Sequence, residues 1–238
     1  MSLEIFIVFH KEINEDNYKE LTDAEKTHLT FVAVNEAIPK IYDSSKYRIL
    51  KEWELPIYYP ELQRNGFNEN SVIRHLYENK RVMSDYVGIT QYDFYFPKNS
   101  IQSVIDTIRG PTTTPVRVFF GSELKNYETC FVYTWIHFDT YNARVIFELM
   151  KQKYEQLRNR PIDRNKEFPL LNSYIIPTKI FYEIMPHVND LYKMYMEHKV
   201  FGDSAPFKDL AGSFERVMAF MVGQEADILN HWNITHTH

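Results

Sequence analysis

The chain has 238 residues, a formal net charge of −5, seven Gly and an aromatic share raised by 17 Tyr and 17 Phe. An acidic balance with no long basic run argues against a protein held on nucleic acid by phosphate contacts. The single Cys130 excludes an internal disulfide and a cysteine-based zinc site.

The N-terminal apolar run is only Ile5–Phe9, without a basic segment before it. That is too short for a signal peptide, and no apolar stretch nears the roughly 20 residues of a membrane helix. The expectation is a soluble, cytoplasmic protein with no membrane-spanning segment. Leu3 to Phe9 (LEIFIVF) predicts a buried strand of parallel-sheet character, with His10-Lys11 at its tip. A basic pair there can meet a diphosphate; a solvated loop lysine is the other reading. Asn14 to His28 is polar and helix-compatible, and Leu29 to Val34 predicts a second buried strand. Ile49 to Trp53 reads as a short extended piece, and Leu55 to Gly66, with Pro56 and Pro60, as loop. Asn68 to Asn79 predicts a helix capped by Asn68 or Asn70, with Val72, Ile73, Leu76 and Tyr77 on one face.

Tyr86 to Thr90 predicts the central strand, and Ser100 to Ile108 an amphipathic helix ended by Gly110-Pro111. Val116 to Phe120 and Thr129 to Ile136 predict two further strands, and Phe138 to Arg158 a long helix. Arg160 to Phe168 reads as a charged loop. Ile180 to His198 predicts a helix split or kinked at Pro186, and Ser213 to Gly223 an apolar-faced helix. Strands alternating with helices give an α/β fold: a mostly parallel, nucleotide-binding sheet flanked by helices. No repeat, low-complexity segment or long linker divides the chain, so 1–238 reads as one domain.

The stretch Asp85–Phe96 (DYVGITQYDFYF) organises the rest. Gln91-Tyr92-Asp93 stands at the exit of the central strand, and open α/β sheets bind ligands at the carboxyl ends of their strands. Asp93 is therefore the first candidate site carboxylate, against the plainer reading of an Asp that starts a turn.

Five blocks recur in a familiar order: Phe9-His10-Lys11; Glu69 with Asn79; Gly88-Ile89-Thr90-Gln91-Tyr92-Asp93; Cys130–Trp135 before Phe138-Asp139; and Glu215-Arg216. Together they resemble nucleotide-sugar glycosyltransferases of the GT-A type, in particular a bacterial and viral group with a central Gly-x-x-His-Tyr-Arg-Arg motif. Here Gln91, Asp93 and Phe94 replace the His and the two Arg. Gln91-Tyr92-Asp93 instead resembles the Asp-x-Asp element of GT-A enzymes, which holds a divalent metal across the donor's two phosphates. The resemblance implies a donor-binding half at roughly residues 1–120 and an acceptor-side half at roughly 121–238. It implies transfer of a sugar from a UDP- or GDP-sugar to a glycan or other hydroxyl acceptor. Donor contacts would come from His10, Lys11, Glu69, Gln91, Tyr92 and Asp93. Mn²⁺ or Mg²⁺ would sit on Asp93 and Gln91, with a late imidazole, His236 or His238, as a further ligand. Glu215, Asp139 or Asp203 would be the general base.

Three other readings stand beside this one. A catalytically silent relative would bind glycan or nucleotide without turnover. A metal-dependent phosphohydrolase or nucleotidyltransferase needs two or more clustered acids, where only Asp93 stands out. A structural interaction protein would expose a large aromatic surface.

Overall fold

The computed structural model describes residues 1–37, 47–64, 67–110, 115–127, 141–169, 171–198 and 207–237. Its centre is a seven-stranded sheet built from Leu3–Phe9 (β1), Leu29–Ala33 (β2), Ile49–Lys51 (β3), Tyr86–Gln91 (β4), Arg117–Phe120 (β6), Tyr174–Pro177 (β9) and Ile228–His231 (β10). The order across the sheet is β10-β6-β9-β4-β1-β2-β3. Two small antiparallel pairs flank it: Phe94–Tyr95 (β5) with Thr235–His236 (β11), and Leu124–Asn126 (β7) with Glu167–Pro169 (β8). Within the large sheet only β9 runs backwards, antiparallel to both β4 and β6. The other six strands therefore end at one edge, and β9 begins there.

Period-2 alternation sorts the side chains of β1 onto two faces. Ile5, Ile7 and Phe9 pack with Ile101, Val104 and Ile105 of helix Ser100–Arg109 (α4), and with Trp232 and Ile234. Phe6 and Val8 face the opposite core, shared by helices Asn68–Glu78 (α3), Thr178–His198 (α6) and Phe207–Glu225 (α7). Asp23–Lys26 (α1), Pro60–Arg64 (α2) and Tyr141–Arg158 (α5) complete the helices. Gly88 lies in register between Ile5 and Ile175. A Cβ there would stand 3.0 Å from a carbon of each of those side chains, so the middle of the sheet closes around a bare backbone.

Several expectations need correction. Residues 55–66 include helix α2, which Pro60 opens; a proline costs nothing at the first helical position because its missing N–H has no partner there. Pro186 does not split α6, which runs continuously from Thr178 to His198. A buried apolar face of Ile180, Phe181, Ile184, Met185, Val188 and Leu191 outweighs the roughly 3 kcal/mol that a mid-helix proline costs. Residues 160–168, read as loop, end in β8, and 14–28 hold only a 3₁₀ turn, Glu15–Tyr18, and the four-residue α1. Neither Asn68 nor Asn70 caps α3; Phe67 occupies that position and makes no side-chain cap. The predicted strand at Thr129–Ile136, with Phe138-Asp139, Asp203 and His238, lies outside the described residues.

Helix α3 is anchored by a buried polar network. Glu52 accepts from Ser71 Oγ and from His75 Nδ1, both at 2.6 Å, while His75 Nε2 accepts from the Tyr59 N–H at 2.8 Å. Every member has a partner, so this Ser-His-Glu cluster holds the helix rather than offering a nucleophile. Asn79, part of the family spacing, is likewise structural: its side-chain amide bridges the backbone N–H and C=O of Ile57. No helix among the described residues is long and apolar enough to cross a membrane.

Candidate active site at the carboxyl edge of the sheet

The site grows from the turn that follows β4. The Tyr92 N–H donates to Val8 O at 3.0 Å, continuing the ladder with β1 past the end of β4. Tyr92 O accepts from Tyr18 Oη at 2.9 Å and from Asn17 Nδ2 at 3.3 Å. Asp93 O accepts from both the N–H and the hydroxyl of Thr237, at 2.7 and 2.6 Å. The backbone carrying Asp93 is thus gripped from both sides, and its carboxylate has a fixed direction. β11 brings His236 alongside, where Nε2–H donates to Asp93 Oδ2 at 3.1 Å and the ring meets Phe94 edge-on at 5.1 Å. His236 therefore belongs to a paired strand, not to a loose tail.

Asp93 Oδ1 and His10 Nδ1 are among the ten buried side-chain polar atoms of the described residues without a hydrogen-bond partner. Both stand at the carboxyl edge of the sheet, where a bound ligand would find polar atoms to meet. The His10 ring packs edge-on against Tyr92 at 5.2 Å. Burial pushes its pKa down, and Lys11 adds to that, while Asp93 pulls the other way. Lys11 itself is exposed beside it, and Gln91 ends β4 opposite Val8.

Two further carboxyls share this edge. Glu69 opens α3, and Glu215 lies on α7. Dehydration pushes the Glu69 pKa up to about 8, with the charges of Glu215 and Asp93 adding to the rise. Glu215 is also raised by burial, opposed by Arg216 at 3.9 Å and by the Leu171 N–H, which donates to Oε1 at 3.3 Å. Tyr92 is raised by burial and then by Asp93 and Glu69.

The fold therefore brings His10, Gln91, Tyr92, Asp93 and His236 to one turn, and Glu69 and Glu215 within electrostatic reach of it. Among the described residues no group of three or more His, Cys, Asp or Glu is arranged to hold a metal ion by itself. The residues not anticipated are those that hold the site: Tyr18, Asn70, Leu171, Asn172 and Thr237. Only Asn172 gave a signal, since Asn tolerates the left-handed backbone better than most residues. A cavity of about 570 Å³ lined by Tyr77, Glu78, Lys80, Val82, Met83 and Tyr182 lies at the far end of α3 from Glu69, away from these carboxyls.

No protein-family model matches the sequence, and no curated protein matches it. Among solved structures, the chain superposes over its whole length on the bifunctional glycosyltransferase WbbM, in its apo form, with a TM-score of 0.63 and 10% identity, covering 45% of that chain. It thus spans less than half the length of WbbM. The galactosyltransferase LgtC, in complex with donor and acceptor sugar analogues, aligns over 96% of the chain and 73% of LgtC at 10% identity, but its TM-score of 0.34 carries no weight. The likeness to WbbM establishes a shared architecture: this chain has the GT-A-like α/β fold, with a mostly parallel sheet flanked by helices.

Proposed function

We propose that this protein is a glycosyltransferase that moves a sugar from a nucleotide-diphosphate sugar, UDP- or GDP-linked, to a glycan or other hydroxyl acceptor. The observation that carries the reading is Asp93, fixed at the carboxyl edge of a GT-A-like sheet with His236 on one oxygen and the other buried without a partner. That orphaned oxygen suits a divalent ion, Mn²⁺ or Mg²⁺, with Asp93 as its carboxylate and Gln91 as a carbonyl ligand beside it; His236, whose Nε2–H is given to the other oxygen, would ligate through Nδ1. When bound, such an ion neutralises charge on the departing diphosphate. With a single carboxylate supplied, the remaining ligands are donor phosphate oxygens and water, so metal and donor bind together. His10, uncharged through burial, and Tyr92 line the donor side, and Lys11 offers its ammonium to the diphosphate. Glu215 serves as the base for the acceptor hydroxyl, and Asp139 keeps that candidacy from the sequence alone.

Calorimetric titration of UDP- and GDP-sugars with Mn²⁺, repeated in EDTA, tests this. One nucleotide series binding only with metal is the expected result. Equal binding in EDTA removes the metal from the reading, and no binding in either series removes the transferase. Binding without any transfer to glycan acceptors points to the silent relative, which the Gln at position 91 favours. Lys11→Ala is expected to raise the donor Kd about tenfold, with an unchanged melting temperature. An unchanged Kd takes Lys11 off the diphosphate.

A further inference from the structure

Resting on the transferase reading above, we propose that Asn17 is a positioning residue, which fastens β11 to the turn between β4 and β5 and so keeps Asp93 and His236 together on the donor side. These two residues stand 143 positions apart in the chain. The strands that join them pair over two residues each, Thr235 with Tyr95 and His236 with Phe94. A two-stranded ribbon is marginal by itself in water, and one this short leaves the place of the imidazole to whatever else ties β11 down.

Asn17 supplies such a tie. It lies in the 3₁₀ turn Glu15–Tyr18 and is buried. Its amide nitrogen carries two hydrogens and has an acceptor on each side: Tyr92 O at 3.3 Å and Thr237 Oγ1 at 3.4 Å. The Thr237 hydroxyl gives its own hydrogen to Asp93 O at 2.6 Å, and the Thr237 N–H reaches the same carbonyl at 2.7 Å. Amide, hydroxyl and carbonyl thus form a relay from the 3₁₀ turn through Thr237 to the backbone of Asp93, and bonds in such a chain strengthen one another. Asn17 O also accepts from the Phe96 N–H at 2.8 Å, so the same residue holds the segment that follows Asp93.

The 3₁₀ turn does not require this amide. Asn14 closes it, accepting from the Asp16 N–H through Oδ1 at 3.2 Å and from the Asn17 N–H through its carbonyl at 3.0 Å. Nor does Tyr92 O require it, since Tyr18 Oη already donates there at 2.9 Å. What Asn17 adds is the hold on Thr237, and that hold matters at the carboxylate. With β11 in place, Asp93 Oδ2 accepts from His236 Nε2–H at 3.1 Å and Oδ1 is left for a ligand. With β11 frayed, the imidazole leaves and the carboxylate turns freely. Partners one step removed from a metal ligand typically govern its affinity by about 10–100-fold.

Two measurements test this: amide hydrogen exchange by NMR on the metal-free protein, and calorimetric titration of Mn²⁺ in the presence of UDP or GDP. The variants are Asn17→Ala, Thr237→Val, which removes the hydroxyl and keeps the N–H at an exposed position, and Thr237→Ser, which keeps both. In the first two, protection of the amide at position 237 is expected to fall at least about tenfold, while that of Ile7 in β1 stays within about twofold. Their Mn²⁺ Kd with nucleotide is expected to rise about tenfold, and Thr237→Ser to bind within about twofold of wild type. Unchanged protection at 237 in both variants overturns the fastening. Lost protection with an unchanged Kd overturns the role at the donor site. Should Asn17→Ala also expose Ile7, the protein has loosened as a whole and Thr237→Val decides. A wild type that binds neither nucleotide with Mn²⁺ sinks the transferase reading instead, while exchange at 237 still decides whether Asn17 fastens β11.

Discussion

The Glu69 pKa is raised because dehydration, reinforced by two acidic neighbours, exceeds what the single backbone hydrogen bond restores. This has a consequence for stability. With its folded pKa near 8 against 4.5 for an ordinary glutamate, the folded state binds the proton more tightly than the unfolded chain. The resulting stabilisation is present below pH 4.5 and is lost as pH rises to about 8. Denaturant melts from pH 4.5 to 8.5 are expected to show that decline in wild type and to flatten in Glu69→Gln; parallel curves remove the assignment. Asp93 answers to a different test. Its side chain is 29% exposed and holds one imidazole, so Asp93→Ala costs less than about 1 kcal/mol of stability. Transfer is expected to fall by at least about a hundredfold, the scale of losing a group that supports charge in the transition state. Full turnover in that variant takes Asp93 out of the site. Asp93 was legible in the sequence because a lone acid followed a buried apolar run. The hydrogen bond from Asn172 Nδ2 to Asn70 Oδ1, at 3.2 Å, was not, because two amides about a hundred residues apart leave no local pattern.

At the scale of elements, legibility followed burial, with the buried but short β9 as the exception. β1, β2, β4 and β6 are buried runs rich in branched or aromatic residues, and α3 and α4 carry one apolar face, so each announces itself. β9, β10 and β11 do not. β9 is four residues ending in Pro177, and β10 and β11 mix polar side chains with apolar ones. They are strands because neighbouring edges need pairing, a demand that no local window records. Gly223 makes a related point. Within a helix, Ala is ordinarily better than Gly by roughly 0.5–1 kcal/mol. At 223, however, a Cβ would lie 2.5 Å from Phe168 Cβ and 2.6 Å from Glu167 O, against the backbone of β8. Overpacking costs about 1–3 kcal/mol, so Gly223→Ala is expected to lower stability by about that range. A denaturant midpoint at or above wild type would show that β8 moves aside freely.

At the scale of the molecule, the sheet collects its carboxyl ends, and β9 reverses direction to add a strand beginning at the same edge. The reversal lets the Leu171–Ser173 loop enter beside Thr90 of β4 and Glu215 of α7, so chemistry-bearing residues come from both halves of the sequence. It also sets the order in which the protein can be completed. Both neighbours of β6 lie downstream of it: β9 and then β10. A chain emerging from the ribosome presents β6 with neither edge paired until those segments arrive, and such distant pairings form slowly. Meanwhile an apolar strand with two open edges is a template for the wrong partner. Pulse-labelled hydrogen exchange during refolding is expected to protect the β1–β2 amides first and those of Val118 and Phe119 last; the reverse order would mean that the β6–β9 pairing nucleates the sheet. The late arrival of β9, which brings its loop to the site edge, is what leaves β6 open to the wrong partner.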